Sequence, residues 1–140
     1  MDKLQRFIEA QKADYAIALS EIQNGRKRSH WMWYIFPQIQ GLGFSSTSKY
    51  YAIHNLAEAT ALLQHPELGS RLVQICQALL AGGGRDAHRI FGTPDDLKLK
   101  SSMTLFAAVP GADPVFEQVL KEFFGGVKDE QTLRILNKQQ

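Results

Sequence analysis

Two short stretches hold the side chains able to do chemistry. In "SHWMWYIFPQIQGLG", residues 29–43, His30, Trp31, Trp33 and Tyr34 stand within five positions, directly behind Arg26-Lys27-Arg28. A histidine titrates near neutrality, so His30 is a candidate general acid or base. Trp31 or Trp33 offers a flat face on which a planar ligand stacks. Gln38 brings both donors and an acceptor. Gly43, Ser45 and Ser46 precede the helical run "KYYAI", and a helix start with hydroxyls beside Arg28 suits a phosphate. The second stretch is "TPDDLKLKSSMTLF". There Asp95 or Asp96 is placed to hold a ribose or act as a base. Helical spacing sets Asp96, Lys100 and Thr104, with Ser101 alongside, on one ridge.

Each feature has a plainer reading. Aromatic clusters pack cores more often than they recognise ligands, which suits Met32, Ile35 and Phe36. Asp95 and Asp96 complement a helix N-terminus, and Lys98 and Lys100 read as solvated. The Ser-Ser-Met-Thr run fits a helix interior poorly, so the ridge faces either a pocket or a buried polar network. Cys76, in an apolar stripe, reads as inert core, and His65, before a proline, as a cap. His30, His54, His65 and His88 lack metal-ligand spacing, so neither a metal nor another cofactor is expected. No G-x-S-x-G elbow, Walker loop or G-x-G-x-x-G is present.

The bulk properties bound these readings. A chain of 140 residues forms one domain over 1–140 with a proper core. A net charge of +2 argues against nucleic acid as the main partner. One cysteine precludes an internal disulfide and suits a reducing cytoplasm. "MDKLQRFIEAQ" lacks a signal-peptide apolar region, and no run approaches the ~20 apolar residues of a membrane span.

Helical punctuation then sets the fold class. Leu4, Phe7, Ile8, Tyr15, Ala18, Leu19 and Ile22 recur at three- and four-residue steps, stopped by Asn24-Gly25. Asn55 and Glu58 resemble a capping box. Leu68, Leu72, Ile75, Cys76, Leu79 and Leu80 form a stripe from Pro66 to the Gly82–Gly84 run. Thr93 and Asp113 are expected to cap helices with Pro94 and Pro114 at their first positions. Asp86 and Asp129 open two more. Only "WMWYIF" is a candidate strand, and one strand makes no sheet. The prediction is all-α, a single-domain bundle of six to eight short helices.

The strings "GRKRSHWMWYIFPQIQGLGFSS", "HPELGSRL", "IFGTPDDLKLKSSMTLF" and "FFGGVKDEQTL" together resemble the bacterial family named domain of unknown function 1810. They cover nearly the whole chain. The resemblance implies a mainly helical fold and carries no catalytic residue over.

The functional expectation is a protein that binds or acts on a small anionic, nucleotide-like metabolite. Its pocket is expected to draw on both stretches. Arg28 and the Ser45–Ser46 loop would hold phosphate, Trp31 or Trp33 would stack on the base, and His30 and Asp96 would carry any acid–base chemistry. Lys100, Ser101 and Gln38 would complete the lining. The alternatives are a protein-interaction module with an aromatic and basic patch, and a nucleic-acid binder.

Overall fold

The three- and four-residue apolar spacing from Leu4 to Ile22 becomes α1 (Gln5–Gln23), which buries Phe7, Ala18 and Ile22 and ends at Asn24. The computed structural model describes residues 3–139. Among them the chain continues through α2 (Met32–Ile35), α3 (Ser46–Tyr51), α4 (Leu56–Gln64) and α5 (Pro66–Ala81). α6 (Ala87–Phe91), α7 (Asp95–Ala107), α8 (Val115–Phe124) and α9 (Glu130–Lys138) complete it. The bundle is all-helical, as expected. The described residues form nine helices where six to eight were expected, and the one not foreseen is α2, a single turn too short to show a helical period.

Caps fall where short polar side chains allowed them. Ser45 accepts from Ser48 N, Asn55 from Glu58 N and Asp129 from Thr132 N, at 3.1, 2.9 and 2.9 Å. His65 Nδ1 accepts from Glu67 N and Leu68 N, so the imidazole is a cap. Two starts lie one residue later than expected. Pro94 and Pro114 occupy the N-cap position, and α7 and α8 begin at Asp95 and Val115. Thr93 does not cap α7, because its hydroxyl lies 2.7 Å from His88 Nδ1.

The core is built around α7, whose Leu99, Met103, Leu105 and Phe106 are fully buried. α8 packs on α7 and α5, while α5 also packs on α1 and α4. Burial pushes the Cys76 thiol up, and its Sγ sits 3.6 Å from Met103 Sδ. It is core, not a reactive thiol.

The "WMWYIF" segment is not a strand. Trp31, Met32, Ile35 and Phe36 are buried, and the Phe91 ring packs on both Trp31 and Phe36. The chain then extends through residues 37–41, where Ile39 and Ile53 form an isolated parallel bridge. Ile53 N donates to Gln38 O at 2.8 Å and Gln40 N to Ile53 O at 2.9 Å. This rivet underlies a cleft lined by Gln38, Ile39 and Gln40.

Candidate functional site

That cleft has a volume of about 680 Å³, within the range of small-molecule sites. One wall is Trp33, Gln38 and the 39–44 loop; the other is Ser48, Lys49 and Tyr51 of α3, with Ile135 and Gln139 approaching from the C-terminal end. Local chemistry makes the shape. Gly41 holds φ at 102°, and a Cβ there would come within 3.3 Å of Ile135 Cδ1. A Cβ on Gly43 would lie 2.5 Å from Ser48 Cβ, so only glycine lets this loop close onto α3. The contact leaves Phe44, 87% exposed, at the mouth of the cleft.

Of the expected residues, Trp33, Gln38 and Gly43 line the cleft. Ser45 and Ser46 stand at the start of α3, exposed, and Ser45 is committed to its cap. Trp31 is not a stacking face. It is 1% exposed, and its indole N–H donates to Glu21 at 2.9 Å. Arg28 and His30 are exposed and off the lining, with Arg28 N bound to Glu21.

The second stretch packs beside the first but does not line the cleft. Lys27 Nζ lies 2.9 Å from Asp95, and Lys98 Nζ lies 3.2 Å from the same carboxylate. Lys98 also sits 5.1 Å above the Trp33 ring, joining the acid–base cluster to the back of the cleft wall. Asp96 instead faces His88, at 3.8 Å. The expectation that both stretches line one pocket is therefore corrected: Asp95, Asp96, Lys100 and Ser101 stand outside it.

The polar ridge of α7 is a buried network. Ser101 Oγ donates to Leu97 O, and Thr104 Oγ1 donates to Lys100 O while accepting from Asp129 N at 2.9 Å. These two hydroxyls return bonds to the helix four residues back, which explains how Ser101 and Thr104 sit buried there, whereas the buried Ser102 hydroxyl makes no hydrogen bond. Thr104 also ties the start of α9 to α7.

Two acids that the sequence reading passed over organise the surroundings. Glu21 accepts from Arg28 N, Ser29 N, Ser29 Oγ and the Trp31 indole. Burial pushes its carboxyl up, but these bonds outweigh burial and bring it to about 2. Glu58 is likewise held low against burial, by His54 and Arg6, and Arg6 also donates to Ala52 O behind the cleft. Tyr34 bonds Asp14, and burial with that carboxylate raises its hydroxyl.

Hydrogen-bonding capacity inside the cleft is largely free. Gln40 and Gln139 each donate one amide N–H to His54 O, at 3.2 and 2.9 Å, and keep the side-chain carbonyl and a second N–H. The side chains of Gln38, Trp33, Tyr51 and Lys49 make no hydrogen bond or ion pair within the chain that involves their polar atoms (described residues only). Lys49 is the one charged residue on the lining. Lys49 follows the basic run Arg26-Lys27-Arg28 in sequence, a pattern that suits phosphate but more often makes a solvated face, and Phe44, Tyr51, Ile135 and Gln139 carry no local signal. A second cleft, about 550 Å³, lies between α4, α5 and residues 109–113. Its hydroxyls are already engaged: Thr60 bonds Leu56 O, and Ser70 bonds Pro66 O.

Among the described residues no helix is long and apolar enough to cross a membrane, and no cluster of His, Cys, Asp and Glu is arranged to hold a metal. No curated protein matches the chain. A crystal structure of the conserved hypothetical protein Rv1873 from Mycobacterium tuberculosis is similar, at 46% identity and a TM-score of 0.93 over 96% of each chain. The family model for a protein of unknown function, DUF1810, matches residues 1–136, and the chain belongs to that family.

Proposed function

We propose that the chain binds a small, planar, anionic metabolite, nucleotide-like in the broad sense, in the cleft between Trp33 and Lys49. The observation that carries this reading is that an unpaired lysine, aromatic side chains and amides with free hydrogen-bonding capacity line one cavity of suitable size. An aromatic wall stacks a flat ring, and a cation at its edge offsets a negative group. His30 and Asp96 lie off this lining, so the reading is one of binding, with no acid–base step assigned. With its single cysteine, the chain is suited to work in the cytoplasm.

A second reading, a protein-interaction surface, is favoured by α3, which buries no residue and leaves Phe44 and Tyr50 87% and 61% exposed. Thermal-shift titration with nucleosides, nucleotides and sugar phosphates separates the two. The binding reading expects a rise in Tm with a planar anion, lost in Lys49→Gln while the helical circular-dichroism signal is kept. No rise with any member of the panel would sink it and leave the interaction surface.

A further inference from the structure

We infer that the ligand of this cleft carries a single negative charge, as a heteroaromatic monocarboxylate does, and is not a polyphosphate. The inference rests on the binding reading above and narrows its ligand class.

Charge stoichiometry makes the case. Lys49 is the one charged side chain on the lining, so one cation is available inside the cleft. The neighbouring cations do not line the cleft and are engaged with carboxylates elsewhere. Arg6 is paired with Glu58 at 3.0 Å, and Lys27 and Lys98 share Asp95. A triphosphate placed here would have one ammonium for several charges, with no second cation on the lining to pair the remainder. A single carboxylate is matched by Lys49 alone.

The neutral part of the ligand is read by the amides. Gln38 has a free carboxamide, able to donate and accept at once. Gln40 and Gln139 each use one amide N–H on His54 O and retain a carbonyl acceptor and a second N–H. This set complements a ring whose edge carries both N–H and C=O, as in a pyrimidinedione. Phe44, 87% exposed, gives a further apolar face at the mouth.

The test is isothermal titration calorimetry with orotate, uracil, UMP and UTP as probes. Orotate joins a pyrimidinedione edge to one carboxylate; the others vary charge on a similar ring. Orotate should bind at least about tenfold more tightly than uracil and UTP. Lys49→Gln should remove that preference over uracil, while Gln38→Leu should weaken both. Tighter binding of UTP or UMP than of orotate would overturn the single-charge inference and leave the binding reading standing. Absence of heat with all four probes, from a folded protein, would overturn both.

Discussion

The Lys27 ammonium sits 2.9 Å from the Asp95 carboxylate, with the two side chains only 8% and 19% exposed. This one pair ties the chain ahead of α2 to the first turn of α7, and so holds the two chemically rich stretches side by side. Removing one partner strands a mostly buried charge. Asp95→Ala strands Lys27 and should cost about 3 kcal/mol, whereas Lys27→Ala should cost less, because Lys98 still pairs Asp95 at 3.2 Å. The double variant should cost less than the sum, because the second removal relieves the stranded charge. Urea denaturation of all four species checks this, and strict additivity would show that the pair is not coupled.

Glu21 predicts a pH dependence. Its carboxyl is lowered from 4.5 to about 2 in the folded chain. A lowered folded value means that the stabilisation is complete above about pH 4.5 and is lost as pH falls through about 2. Glu21→Gln removes the titrating group, so its loss of stability between those pH values should be shallower than that of the parent. Glu21→Ala leaves the Trp31 indole N–H buried without its acceptor and should cost about 1–3 kcal/mol at neutral pH. Acid-unfolding curves with parallel slopes for parent and Gln variant would contradict the assignment.

Gly69 is where α5 closes onto α4. A Cβ there would lie 2.1 Å from Leu63 O, a backbone atom that cannot step aside. Gly69→Ala should therefore destabilise by at least about 1–3 kcal/mol, although alanine is the better helix former. Gly83→Ala, with no atom within 4 Å of the added methyl, is the control and should be near neutral. The readout is the pair of thermal midpoints.

The helices were legible because their ends are written in local chemistry. Asn55, Asp86 and Asp129 each meet a backbone N–H three residues on, and Gly25 and Gly125 take positive φ just past helix ends. The cleft was only partly legible. Trp31 and Trp33 look equivalent in sequence, yet the single turn of α2 rotates about 100° per residue and sends them to different sides. Trp31 meets Glu21 and the core, and Trp33 meets the cleft. The α7 ridge had two readings from its spacing alone, and the Thr104 bond to Asp129 N decides for the network. Ile135 and Gln139 join the lining from far along the chain, a closeness that no local pattern encodes.

Ligand binding in the Trp33–Lys49 cleft is most directly tested by the two indole N–H signals in a proton–nitrogen correlation spectrum, followed as orotate is added. Trp33 lines the cleft, while Trp31 is fixed to Glu21 outside it and serves as an internal reference. The account predicts that the Trp33 indole signal shifts in a saturable way, together with the backbone amides of Gly43 and Lys49, while the Trp31 indole stays in place. Shifts centred instead on Trp31, His30 and Asp96, with Trp33 unmoved, would contradict it.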